Sequence, residues 1–256
     1  MFARNDAHAF ATIHRSCEIV DYDAVEPCAN QTNNNHTEIV DHKGSTADDR
    51  ATNRHRHTNV KVHKLINNLG AKLGVNDSWA GSRVHNNASS NSGDLGPDAC
   101  MASITRITNL GANGTPDLIF FYGGTNDAGK NVQLGTFDSS INHKVDLTAT
   151  TWATFADAYA AAIMRMQYFY PDAKIIALTP MWVKSYYPVS RMNDFAEVIV
   201  SICDYFGVPV IDLRKCGINS NNIDYTLGDG IHPNAEGMKQ LADAVIEELK
   251  RDDLCS

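Results

Sequence analysis

No stretch of this 256-residue chain is apolar for the ~20 residues needed to cross a bilayer, so the sequence contains no membrane span. It has no basic stripe outside the short Arg54-His55-Arg56-His57, and its formal net charge is −8. That balance sets nucleic acid aside as a partner. The first ten residues lack the apolar core of a secretion signal, so none is expected here, although a native form of the protein could be secreted. None of the six cysteines (Cys17, Cys28, Cys100, Cys203, Cys216, Cys255) stands in a C-x-x-C pair, which argues against a zinc ribbon or thioredoxin-like centre. Their even number permits disulfides, but a core of this size does not depend on them. No glycine-rich phosphate loop follows a first strand, so a flavodoxin-like nucleotide binder is disfavoured.

One region also lacks core-forming residues. Between Ala29 and Asn59 the only large apolar side chains are Ile39 and Val40. Such a segment cannot bury enough apolar surface to offset its ordering entropy. Residues 1–59 are therefore expected to be an atypical polar segment, disordered or non-native, ahead of one domain over 60–256. Seven of the ten histidines lie at or before His63. The cluster of His36, His42, His55, His57 and His63 has no acidic or cysteine partner recurring at a ligand spacing, and its neighbouring arginines repel a cation. Neither a metal nor a cofactor is expected.

From Val60 onward the hydrophobic pattern is regular. Helical spacing appears at Val62, Leu65, Ile66, Leu69 and Leu73, closed by Gly74, with a short strand from Val75 to Trp79. A second helix runs through Met101, Ile104, Ile107 and Leu110 to Gly111. The buried-strand run Asp117–Tyr122 follows. Trp152 to Tyr170 reads as a long amphipathic helix, Lys174–Leu178 as a strand, Phe195–Phe206 as a helix ended by Gly207, Val208–Leu213 as a strand, and Leu241–Leu249 as the last helix. Alternating strands and helices of this length imply a parallel sheet covered on both faces, wound as a three-layer α/β/α sandwich. Ligands in such folds sit beyond the carboxyl ends of the strands.

Three stretches place polar residues at such ends. In Asp229-Gly230-Ile231-His232-Pro233 the carboxylate and imidazole can meet in a tight turn. That fixes the tautomer and leaves the second ring nitrogen as a base. In Gly123-Gly124-Thr125-Asn126-Asp127 the glycines turn the chain sharply and present Asn126, a neutral amide donor suited to an oxyanion. In Ser78-Trp79-Ala80-Gly81-Ser82 the Gly81 N–H is a candidate second donor. Each stretch alone also reads as an ordinary polar turn.

Taken together, they resemble the blocks of the SGNH, or GDSL-type, esterases and lipases. Gly124-Thr125-Asn126-Asp127 is similar to the family's Gly-x-Asn-Asp, and Asp229-Gly230-Ile231-His232-Pro233 to its Asp-x-x-His-Pro. Gly81 matches the glycine block, and the resemblance covers roughly Val60 to Lys250. It implies a flavodoxin-like sandwich and metal-free ester hydrolysis. His232 would be the base, Asp229 its orienter, and Asn126 and Gly81 the oxyanion donors.

The family's first block, an apolar strand followed by Gly-Asp-Ser with the serine as nucleophile, is absent. Ser92-Gly93-Asp94-Leu95-Gly96 has leucine where serine is needed. The nearest substitute is Gly44-Ser45-Thr46 after Glu38-Ile39-Val40, making Ser45 the expected nucleophile. Ser16, after Phe10–Ile13, is the alternative, while Ser78 and Ser82 read as structural. The expected activity is removal of an acyl group, acetyl first, from a carbohydrate or lipid ester. The loop Thr179–Ser190, with Trp182, Tyr186 and Tyr187, is the expected wall of the cleft. The competing expectation is an SGNH-like binding protein that lacks the nucleophile.

Overall fold

The computed structural model describes residues 7–15, 64–85, 100–184 and 188–251. Among the described residues six strands form one sheet: β1 (Ala7–Arg15), β2 (Ala71–Asn76), β3 (Trp79–Ala80), β4 (Leu118–Tyr122), β5 (Lys174–Leu178) and β6 (Val210–Ile211). Their order is β2-β1-β4-β5-β6, with β3 paired to β1. All five residues of β4 are buried, as expected for a strand covered on both faces.

The helices fall into two groups. On one side α4 (Phe155–Phe169) contacts both α2 (Ile104–Asn109) and α5 (Val189–Phe206), and α5 also contacts the short α3 (Thr125–Gly129). On the other, α7 (Ala235–Arg251) packs against α6 (Ile223–Thr226) and is joined to α1 (64–69) by the Lys64–Asp243 ion pair. The architecture is an α/β/α sandwich. Local signals explain the helix limits. Thr154 and Asp157 form a reciprocal capping box at the start of α4, and Gly207, at φ +67°, closes α5.

Three expectations need correction. The strands β4, β5 and β6 are parallel, but β1 is antiparallel to both β2 and β4, so the sheet is not wholly parallel. The first helix stops at Gly70 rather than Gly74. Gly70 adopts φ +57°, and the chain then enters β2, whose pairing with β1 overrides the helical spacing of Leu73. The last strand shortens to Val210–Ile211. Thr179 Oγ1 accepts the Leu213 N–H, and Asp212 caps Arg214, pulling Leu213–Lys215 into a 3₁₀ turn.

Candidate active site

The carboxyl end of β4 leads directly into Gly123, Gly124 and α3. Both glycines are demanded by close approach. A Cβ on Gly123 would lie 2.5 Å from Val84 Cγ2, and Gly124 adopts φ +110° with Pro180 and Phe155 against it. Asn126 follows, 2% exposed, and its amide nitrogen donates to Ser82 O at 2.9 Å. That bond engages one of the two amide N–H groups and so orients the other.

Asp127 completes the connection. Its two carboxylate oxygens accept the Val84 and His85 N–H groups, at 3.0 and 2.9 Å. With the Asn126 bond, three hydrogen bonds hold the 82–85 segment against α3. Burial pushes the Asp127 carboxyl up to about 6, against the two N–H bonds and the Arg83 charge, which pull it down. Sequence reasoning left Asp127 without a role. Its position after Asn126 was visible, but its partners lie more than forty residues upstream.

Arg106 was also missed. It is 1% exposed, donates through Nε to Asp77 at 2.7 Å, and contacts the Ser82 hydroxyl through Nη1. The only signal was an arginine on an otherwise apolar helix face. The contact engages Ser82 in structure, as expected, and Ser78 bonds to Asn76 Oδ1 at 2.5 Å. Gly81 is exposed at φ +74°, with no described residue within 4 Å of where a Cβ would stand.

The Asp229–His232 turn lies at the same edge of the sheet. Leu178, the end of β5, pairs with Tyr122, the end of β4. The chain leaving β5 passes Gly124 at Pro180, and Lys184 N then donates to Gly230 O at 2.7 Å. Within the turn, Asp229 Oδ1 accepts the Ile231 and His232 N–H groups, and Oδ2 meets His232 Nδ1 at 2.6 Å. Burial opposes ionisation of Asp229, but the hydrogen bonds from the His232 backbone and ring and from Ile231 outweigh it. The carboxyl stays below its ordinary range. An ionised Asp229 accepts from Nδ1–H, which makes Nε2 the basic nitrogen. The turn is anchored by Gly228 N donating to His232 O at 2.8 Å, and by Asn234, whose side chain caps Glu236 and Gly237 at the start of α7.

A family model for the GDSL-like lipase/acylhydrolases matches residues 33–249. The chain belongs to that family. Among solved structures, this GDSL-like chain is similar to one described as a GDSL-like lipase from Bacteroides ovatus, at 24% identity and TM-score 0.53. The match covers 75% of this chain and 78% of the other. It is also similar to a Lactobacillus plantarum protein, at 19% identity and TM-score 0.50, over 67% and 78% of the two chains. These likenesses support the fold. No curated protein matches the chain.

Both serine candidates, Ser45 and Ser16, lie outside the described residues, as do Ile39, Val40, Tyr186, Tyr187 and the histidine cluster up to His63. The family match includes Ser45 and begins beyond Ser16. β1 pairs Ala9 with Tyr122 and Ile13 with Leu118. Its Arg15 end therefore lies at the amino edge of β4, away from Asn126.

Proposed function

We propose that this GDSL-like chain is a serine ester hydrolase with His232 as general base, Asp229 as its orienter, and the Asn126 amide and Gly81 N–H as oxyanion donors. The observation that carries the proposal is the 2.6 Å contact between His232 Nδ1 and Asp229, on a turn tied to the same sheet edge as Asn126. A serine hydroxyl attacks the acyl carbon and passes its proton to His232 Nε2. The carbonyl oxygen becomes an oxyanion opposite Asn126 and Gly81. Collapse expels the alcohol, protonated by the imidazolium, and leaves an acyl-serine. Water, deprotonated by His232, then releases the acid. Ser45 is the nucleophile of choice, because it lies within the family match. The substrate is an acyl ester of a carbohydrate or a lipid, with acetyl the first acyl group to try.

A second reading is favoured by the direction of β1. A strand parallel to β4 in the slot between β2 and β4 would deliver the next residue to the carboxyl edge. The antiparallel β1 instead carries Arg15 to the opposite edge. Under this reading the protein is a binding protein whose cleft has a base and an oxyanion donor but no nucleophile.

Hydrolysis of p-nitrophenyl acetate, followed by fluorophosphonate labelling and peptide mapping, separates the two. Activity with modification of Ser45 supports the first reading, and modification of Ser16 moves the nucleophile. Absence of both activity and label overturns the hydrolase and leaves the binding protein.

A further inference from the structure

Beside the proposed site the fold has a pocket of about 250 Å³ that the catalytic residues do not use. It lies between the chain leaving β5, the start of α5 and the turn after β6. Trp182, Val183, Met192 and Ile218 form its apolar surface, and Asn193, Arg214 and Asn219 supply polar groups. Val183 precedes Lys184, whose N–H donates to Gly230 O between Asp229 and His232. The pocket wall and the base therefore belong to one hydrogen-bonded pair of loops.

We propose that this pocket binds one neutral pyranose ring, the alcohol portion of a carbohydrate ester. The proposal rests on the hydrolase reading for its reaction but not for its binding. Three features select that ligand. First, the volume is slightly below the roughly 300–1,000 Å³ of pockets for drug-sized ligands, which suits a single ring rather than an extended polymer. Second, the lining mixes an indole and aliphatic groups with three polar side chains. A pyranose has an apolar C–H face and a hydroxyl rim and can satisfy both. Asn193 and Asn219 stand exposed at the rim, where they can meet a ligand's hydroxyls, whereas an acyl chain would use the apolar surface alone. The Asn193 side-chain amide, exposed at the rim, makes no hydrogen bond to another described residue, while the Asn219 amide is held by its own turn, through Asn221 N and Gly217 O.

Third, the one charged group is already neutralised. Arg214 donates through Nε and Nη2 to Asp212, at 2.7 and 2.9 Å, and through Nη1 to Glu197 at 2.6 Å. A guanidinium paired with two carboxylates does not select a phosphate or a carboxylate, but its remaining N–H groups can donate to hydroxyls. The ligand class is therefore uncharged and rich in hydroxyls.

The test separates binding from catalysis. Methyl pyranosides of the gluco, galacto, manno and xylo series, none carrying an ester, are titrated while tryptophan fluorescence is followed. At least one should give saturable binding in the millimolar range expected of so small a ligand. The signal should vanish in Trp182→Phe, which retains Trp79 and Trp152 as an internal reference. Asn193→Ala should weaken binding several-fold without altering the thermal midpoint. In an active enzyme, Trp182→Ala should lower the ratio of kcat/KM for an acetylated pyranoside to that for p-nitrophenyl octanoate by about tenfold, roughly the loss of one good apolar contact. Sugar binding without hydrolysis would keep the pocket and remove the hydrolase. Failure of every pyranoside to bind, or displacement of a bound pyranoside by octanoate, would overturn the proposal.

Discussion

Asp127 offers a direct test of how the candidate site is held together. Its carboxyl is fully buried and is pushed up to about 6 from an ordinary 3.8. Between about pH 4 and pH 6 the folded protein keeps a proton that the unfolded chain has released. Unfolding in that window gives up a proton, so this group's contribution to stability falls as pH rises. Above about pH 6 the cost levels off near 3 kcal/mol, at about 1.4 kcal/mol for each tenfold change. Asp127→Asn is neutral at every pH. It keeps one acceptor for the Val84 and His85 N–H pair and turns an amide N–H toward the other, a penalty of about 1–3 kcal/mol that does not vary with pH. Urea unfolding of both proteins between pH 4 and pH 7.5 isolates the effect, because other titrating groups largely cancel in the difference. The variant should gain about 3 kcal/mol on the wild type across that range. Parallel stability profiles would refute the reasoning and mean that Asp127 is ionised at no cost.

Three further outcomes are expected. Asn126→Ala should reduce kcat by roughly 10²-fold or more with little change in KM, because the second amide N–H matters once charge develops on the carbonyl oxygen; an active enzyme indifferent to the change would place its chemistry elsewhere. Asp229→Asn should cut kcat by about 10²–10⁴-fold, since an amide does not hold the same tautomer of His232. Hydrogen bonds hold the Asp229 carboxyl below its ordinary range against the opposing effect of burial, so its stabilising contribution is full above about pH 4 and lost below. Asp229 should therefore cause no loss in the wild-type kcat/KM profile above about pH 4. Gly237→Ala should lower the thermal midpoint by several degrees, because the new Cβ would stand 2.1 Å from Thr226 O and force α7 away from α6. A midpoint equal to the wild type would show that α7 seats differently.

Much of the fold was legible because it depends on short-range pattern. The apolar run ending at Tyr122, the long helix ahead of Pro171, and the closure of α5 at Gly207 each follow from neighbouring residues and backbone preference. The Asp229–His232 contact was legible for the same reason. Three residues separate the partners, and Gly230, at φ +85°, lets the turn close. Distant partners were not legible. Asp127 meets Val84 and His85, Arg106 meets Asp77, and the Trp182 pocket gathers residues from three connections. No periodicity encodes such pairings, because burial and hydrogen bonding across the sheet edge select them only once the strands are in register. The direction of β1 belongs with these. A run such as Phe10–Ile13 fits either direction of a sheet, since alternation sets which face a side chain takes and not which way the strand runs. Thus local sequence determined the alternation of elements, the sharp turn after β4 and the acid–imidazole pair. Tertiary structure alone decided the reversed strand, the buried carboxylate behind Asn126 and the pocket at Trp182, because each depends on contacts between segments that only folding brings together.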